Sequence, residues 1–166
     1  MPAGVSAERP RVRRATARDA PAIFRLIRGL AEYERLAHTL RATAPRIRAH
    51  GFGRRRYFET LICARGGAPV GFAVYFFTYS TFLGRPNLYI EDLFVLPEER
   101  GRGAGRALLA ALARIAVRRR CGRLEWAVLD WNRPAIRFYR RLGARLHREW
   151  ILTRLRGAPL RRLSRT

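Results

Sequence analysis

The hydrophobic positions near the start of the chain repeat with the spacing of an amphipathic helix. One helical face would carry Ile23, Ile27 and Leu30. Thr16 followed by Asp19 is a helix start signal, and the pattern runs to about Leu36. We therefore predict a first helix over this stretch, with a short strand before it at residues 10–16. A second helical piece is predicted near residues 44–50.

The middle of the chain has the composition of β-structure. Aromatic and β-branched residues dominate several stretches that are bounded by turn signals, such as the glycine pair at residues 66–67. The predicted strands cover residues 57–65, 69–80 and 88–96. A loop is expected between the last two of them.

A glycine-rich stretch and then an apolar helical pattern follow these strands. The glycines are Gly101, Gly103 and Gly105. The apolar residues at helical spacing after them are Leu108, Leu112, Ile115 and Ala116. The arginines at residues 118–120 and Gly122 predict the helix end, because cations favour a helix C-terminus and glycine allows the closing turn.

The last part of the chain favours a strand, a helix and a strand in turn. Residues 123–130 are predicted as a strand. Asn132 is a good N-cap for a short helix that Gly143 would close. Residues 144–155 are predicted to form a final strand.

No internal repeat or linker interrupts this pattern, so we predict one α+β domain over residues 10–156. Flexible tails are expected at residues 1–9 and 157–166. The chain has 166 residues, of which 48% are hydrophobic, enough for a sizeable core. No apolar run reaches the ~18 residues of a membrane span, and the first residues do not resemble a signal peptide. Cys63 and Cys121 have no metal-ligand spacing, which is typical of free thiols in a cytoplasmic protein with no metal site.

The formal net charge is +23, and every basic residue other than histidine is an arginine. Such charge is compatible with a polyanionic partner, and equally with a bias in composition. The arginines are spread along the whole chain rather than clustered, so we expect no specific nucleic-acid partner. The positive field would still favour anionic ligands, including a phosphorylated cofactor.

The glycine stretch invites comparison with known phosphate-binding loops. A Walker loop needs a lysine, which this chain lacks, and a G-x-G-x-x-G fingerprint fails at Arg106 in one register and at Leu108 in the other. What remains is a glycine loop between a strand and a helix. Bare amides at a helix N-terminus can bind a pyrophosphate, although many glycine clusters are plain turns.

The segment "VLPEERGRGAGRALL" resembles the Arg/Gln-x-x-Gly-x-Gly/Ala acetyl-CoA signature of the GNAT superfamily of N-acetyltransferases. The segments "LAEYERL", "FTYSTFLGR", "LYIEDLFV", "AVLDWN" and "FYRRLGA" are similar to its diamine and thialysine acetyltransferase branch. The resemblance extends from about Arg11 to Leu155. It implies the GNAT fold, a mixed, mostly antiparallel central sheet flanked by helices, with a splayed cofactor cleft.

The resemblance also implies how the donor, acetyl-CoA, is bound. Backbone amides of the glycine loop would hold the pyrophosphate, and the strand before it would pair with the pantetheine arm and polarise the thioester carbonyl. Asn132 matches a cofactor-contacting residue, which is compatible with its capping role. The implied cofactor-binding residues are Leu93, Phe94, Val95, Arg100, Gly101, Arg102, Gly103, Ala104, Gly105, Arg106, Asn132, Arg133, Pro134 and Ala135.

The same resemblance implies roles in acetyl transfer. Tyr139 matches the general acid that protonates the leaving thiolate, although it could instead be a core residue. Glu91 matches the position that faces the amine and would take its proton through water, or could form a salt bridge instead. Strand alternation would place Glu91 and Asp92 on opposite faces. The implied substrate-binding residues are Tyr33, Glu34, Glu91 and Asp92; Glu34 could also be an ordinary solvated charge.

The amine is expected to be a small lysine-like or diamine substrate, acetylated by direct transfer. Polyamine-specific members carry an acid where this chain has Ser80, and a strongly positive protein suits a long polycation poorly. A polyamine acetyltransferase of the spermidine/spermine type remains the alternative. A basic nucleic-acid-associated protein and a protein N-terminal acetyltransferase are further alternatives. We also expect a homodimer with no membrane partner, and suggest that Arg85 pairs with the substrate carboxylate.

Overall fold

The computed structural model describes residues 8–166. Its strands are β1 (Arg11–Arg14), β2 (Glu59–Arg65), β3 (Ala68–Ser80), β4 (Arg85–Val95) and β5 (Leu124–Trp126). Its α-helices are α1 (Ala20–Tyr33), α2 (Ala44–Phe52), α3 (Ala104–Arg118), α4 (Arg133–Arg141) and α5 (Ala158–Leu163). Short 3-10 helices cover Ala17–Asp19, Ala37–Thr39 and Pro97–Glu99. No helix in this part of the chain has the length and apolar character that crossing a membrane requires.

The strands form a five-stranded sheet in the order β1-β2-β3-β4-β5. The pairs β1–β2, β2–β3 and β3–β4 are antiparallel, and β5 is parallel to β4. The sheet is mixed, mostly antiparallel and open, and helices flank it, so the predicted fold class is confirmed.

One hydrophobic core lies between α1, α2 and the sheet. It contains the buried side chains Ala20, Ile23, Leu26, Ile47, Ile62, Phe72, Val74 and Phe94. Alternate strand residues, such as Leu61 and Ala73, are buried as well and face the other way. α3 contacts β1 through β4 and buries Leu108, Leu112 and Ile115, so it covers the second face.

The chain divides into two compact units, one ending at Ala127 and the other spanning Val128–Thr166. The sheet and α1–α3 belong to the first unit, and α4 and α5 to the second. In the second unit, Gly143 follows α4 with a φ of +90°, as predicted for its closing position. The predicted N-terminal tail falls mostly outside the described residues.

Several sequence predictions were wrong in detail. β4 begins at Arg85, inside the expected loop, and β5 covers only Leu124–Trp126. Residues 144–156 form neither helix nor strand, and α5 lies in the segment expected to be a tail. Residues 144–155 have a strand-like local sequence, but a strand also requires a neighbour to accept its hydrogen bonds.

The end of α3 also differs from the prediction. The left-handed residue there is Arg120, at a φ of +54°, rather than Gly122. Glycine is favoured at position 122 for a steric reason, because a Cβ there would lie only 2.9 Å from the Leu83 side chain.

Candidate active site

The glycine loop presents backbone N–H groups at the N-terminus of α3. Gly101 and Gly103 have φ values of +73° and +88°, which side chains disfavour. Gly103 is the N-cap and offers no side-chain cap; the first backbone hydrogen bond runs from the Ala107 N–H to its carbonyl. The N–H groups in the first turn of a helix have no acceptor within that helix, and those at the start of α3 follow Gly103 directly. These donors, together with the helix dipole, suit a phosphate or diphosphate group.

A partly buried ion pair holds this loop in place. Arg65, at the end of β2, donates from Nε to Oε2 of Glu99 at 2.7 Å. Its second terminal nitrogen donates to the carbonyl of Arg102 at 3.0 Å. Glu99 accepts from the Arg102 side chain at 3.0 Å through its other oxygen. The loop is thus fixed at its backbone and at one of its side chains.

β4 and β5 separate just before the loop. They pair only from Leu88 with Leu124 to Ile90 with Trp126, whereas β3 stays paired with β4 as far as Val95. In the part of the chain that the structure describes, the β5-side edge of β4 over residues 93–95 therefore has no partner strand. An extended ligand could form backbone hydrogen bonds along this edge.

A β-bulge sets the positions of the adjacent carboxylates in β4. Val74 lies opposite Asp92 and Tyr75 lies opposite Ile90, so Glu91 is an additional residue in the strand. Glu91 is exposed and Asp92 is half-buried. The bulge interrupts the simple alternation expected from the sequence.

The surroundings of Asp92 shift the pKa of its carboxyl group strongly. Burial, and then the negative charges of Glu91 and Glu34, raise its pKa to about 7. Burial also raises the pKa of Glu34. Glu34, just after α1, and the bulge of β4 therefore lie close enough for their charges to interact, and we call Glu34, Glu91 and Asp92 the acidic cluster.

Arg100, just before the glycine loop, contacts the last residue of α1 and the end of β4. Its guanidinium carbon lies 4.3 Å from the centroid of the Tyr33 ring and 5.6 Å from that of Phe94. Its Nε donates to the Val95 carbonyl at 3.1 Å. The Arg100 side chain therefore contacts Tyr33, which is predicted to face the substrate, as well as Phe94 and Val95 of β4.

Asn132 and Tyr139 lie in the second unit, on and just before α4. The Asn132 side-chain oxygen accepts from the Ala135 amide at 3.3 Å, which confirms the predicted cap. Arg133 and Pro134 begin the helix. Tyr139 is buried, with 8% of its surface exposed, and its ring centroid lies 5.4 Å from that of Phe138.

Arg85 lies at the opposite end of β4 from the loop. The rise of a strand puts it about 20 Å from Asp92, beyond the reach of one small amine. A carboxylate bound at Arg85 and an amine bound at Asp92 would therefore be too far apart to belong to one small substrate.

The model of the acetyltransferase (GNAT) family matches residues 21–144. This chain belongs to the GNAT family. Thialysine N-epsilon-acetyltransferase of Mus musculus is 37% identical over 165 residues, covering 93% of this chain and 96% of its own. L-ornithine N5-acetyltransferase of Arabidopsis thaliana is 30% identical, covering 93% of this chain and 88% of its own. An integron cassette protein of V. cholerae superposes with a TM-score of 0.79 at 25% identity, covering 95% of this chain and 98% of its own.

The GNAT protein described here is therefore an N-acetyltransferase of the diamine and thialysine branch. GNAT enzymes use acetyl-CoA as the acetyl donor. Within the described residues, no group of three His, Cys, Asp or Glu side chains could hold a metal ion.

Two residues that position this GNAT site were missed from the sequence. Arg65 is one of many arginines, and Glu99 stands beside a second acid, Glu98. Their ion pair joins positions 34 residues apart. The only sequence signal was the place of Glu99 just before the glycine loop.

Proposed function

We propose that this chain transfers an acetyl group from acetyl-CoA directly to the primary amine of a small lysine-like or diamine substrate. The observation that carries the proposal is the glycine loop at the N-terminus of α3, beside an edge of β4 that has no partner strand among the described residues, and near an acidic cluster. The acetyl donor, when bound, supplies an activated thioester. Every other requirement falls to the residues of this chain.

The backbone would position the donor. Amides of the glycine loop bind the diphosphate, and the edge of β4 at Leu93, Phe94 and Val95 pairs with the pantetheine arm. A backbone N–H on this edge stabilises the developing oxyanion. Asn132 and the first turn of α4 are assigned to the same ligand through the family pattern.

The acidic cluster would bind the amine and remove its proton. An alkyl ammonium has a pKa of about 10.4 and no lone pair, so it must lose a proton before attack. Asp92, with its pKa of about 7, holds that proton at neutral pH, and the exposed Glu91 relays it through water. Glu34 and Tyr33 would contact the rest of the substrate.

Tyr139 would act as the general acid. A phenol with a pKa of about 10 can protonate a thiolate whose conjugate acid has a pKa of about 8.5 in a closed site. Tyr139 is buried in α4. This assignment rests on the family pattern.

The choice of amine is supported at two positions. Ser80, where polyamine-specific members carry an acid, is buried and accepts a hydrogen bond from the Leu83 amide at 3.2 Å, so it stabilises a turn. Arg100, stacked on Tyr33, is the residue we propose to pair with the carboxylate of a lysine-like substrate. We therefore favour a small amino-acid-like amine over a polyamine.

We further propose a cytoplasmic homodimer. Residues 144–156 have a strand-like sequence but form no strand, and they expose Trp150, Ile151 and Leu152 by 78%, 85% and 66%. A second copy of the chain would cover these side chains. Light scattering should give twice the monomer mass of 19.1 kDa, and Ile151→Asp should return the monomer. A monomeric wild type would contradict the proposal.

The function is tested by incubating the purified chain with acetyl-CoA and a panel of amines, followed by mass spectrometry. The panel should contain lysine, thialysine, ornithine, cadaverine, putrescine and spermidine. We expect acetylation mainly of the amino acids. Preferential acetylation of spermidine would favour the polyamine alternative, and no product with any amine would refute the proposal.

A further inference from the structure

Arg65 has three acceptors and very little solvent exposure. It donates to Glu99, to the carbonyl of Arg102 and to the carbonyl of Glu8. The Arg65 and Glu99 side chains are 12% and 15% exposed. A guanidinium has donors in a rigid planar fork, so these contacts hold Arg65 in one orientation against the glycine loop.

The contact with the Arg102 carbonyl has a consequence for the next amide. In a trans peptide the carbonyl of one residue and the N–H of the following residue point in opposite directions. Because Arg65 draws the Arg102 carbonyl towards β2, the Gly103 N–H must point away from β2. Gly103, at a φ of +88°, is also the N-cap of α3, where an anion would be received.

Glu99 provides the counter-charge that the Arg65 guanidinium needs in this largely buried position. A buried guanidinium needs a counter-charge, since an unpaired buried charge is strongly unfavourable. Glu99 supplies it at 2.7 Å and also accepts from the Arg102 side chain at 3.0 Å. The pair therefore fixes the backbone and the side chain of Arg102 together.

We propose that Arg65, held by Glu99, is a positioning residue that aims the Gly103 amide at the diphosphate of the acetyl donor. It does not touch the donor; it acts through the Arg102–Gly103 peptide. The inference rests on the proposed use of acetyl-CoA, and goes beyond it by assigning a role to a residue outside the family signature.

Two acetyl donors distinguish a role of Arg65 in diphosphate binding from a general effect on the stability of the fold. S-acetylpantetheine carries the same thioester arm as acetyl-CoA but no diphosphate. We expect Arg65→Gln to lower kcat/KM for acetyl-CoA about tenfold, the effect of one charge-assisted hydrogen bond. The value for S-acetylpantetheine, with lysine as the acceptor, should not change.

Two further variants complete the test. Arg13→Gln is the matched control, because Arg13 also forms an ion pair at 2.7 Å, with Asp19, but on β1; neither donor should be affected. Arg65→Lys keeps the charge beside Glu99 without the fork. It should fold even if Arg65→Gln does not, and should show a smaller loss confined to acetyl-CoA.

The outcomes are distinct. A loss confined to acetyl-CoA supports the inference. Equal losses with both donors, or no loss in either Arg65 variant, overturn it while leaving the proposed function intact. If calorimetry shows that the wild-type chain does not bind coenzyme A at millimolar concentration, the proposed function fails and the inference fails with it.

Discussion

The guanidinium carbon of Arg100 lies 4.3 Å from the centre of the Tyr33 ring. Arg100 is the residue that leads into the glycine loop, and Tyr33 ends α1. The side of the site proposed for the donor and the side proposed for the amine are thus in direct contact. A substitution of Arg100 should therefore change the preference of the enzyme among amines.

Arg100→Gln should reduce the preference for lysine over cadaverine, which has the same primary amine but no carboxylate. We expect the ratio of their kcat/KM values to fall about tenfold, as for the loss of one charge-assisted contact. Arg114→Gln removes an equal charge from the exposed surface of α3 and should leave the ratio unchanged. A ratio unaffected by Arg100→Gln would remove Arg100 from substrate recognition.

Asp92→Asn should abolish the proposed proton acceptor. The pKa of Asp92 is raised to about 7, so kcat/KM of the wild type should rise as the pH passes through that value. The Asp92→Asn variant should lose activity, and its kcat/KM should no longer rise with pH in this range. Glu91→Gln should lower kcat but keep the rise of kcat/KM with pH. If kcat/KM of Asp92→Asn still rises in this range, a group other than Asp92 is responsible.

The same shift predicts an effect on stability. The pKa of Asp92 is higher in the folded chain than in the unfolded chain, so its ionisation destabilises the fold. This penalty is absent below about pH 4 and reaches its full size above about pH 7. Asp92→Asn should therefore raise the unfolding temperature at about pH 8 and change it little at about pH 4. Equal shifts at both would contradict the assignment.

Tyr139→Phe should lower kcat about 100-fold, the usual contribution of a general acid. The phenylalanine ring still fills the buried place of Tyr139 in α4. Affinity for acetyl-CoA, measured by calorimetry, should stay the same. Undiminished turnover would exclude Tyr139 from proton transfer.

Gly103→Ala should weaken both the fold and donor binding. A side chain at a φ of +88° costs about 1 kcal/mol of unfolding free energy. Gly67→Ala is the matched control, because Gly67 has a φ of +78° in the β2–β3 turn with open space around it. Denaturant unfolding should show similar losses for the two variants. Calorimetry should show reduced acetyl-CoA affinity for Gly103→Ala alone.

Local patterns in the sequence were sufficient to predict much of the fold. The apolar spacing of α1, the β-rich centre and the strand–glycine–helix order before α3 are encoded by residues close together in the chain. The Asn132 cap was predictable for the same reason, since donor and acceptor are three residues apart.

Contacts between distant segments could not be predicted in this way. The bulge at Glu91 depends on the register between β3 and β4, and the Arg65–Glu99 pair depends on where β2 ends relative to α3. The final strand was predicted wrongly because the local sequence does not show whether a neighbouring strand is present to form hydrogen bonds with it. The roles of Tyr139 and Glu91 stay predictions.

A crystal structure of the chain with coenzyme A tests the central claim most directly. The account predicts diphosphate oxygens within hydrogen-bonding distance of the backbone amides of residues 101–106, and the pantetheine arm along the edge of β4 at residues 93–95. A diphosphate bound elsewhere, or held by arginine side chains with those amides unused, would contradict it.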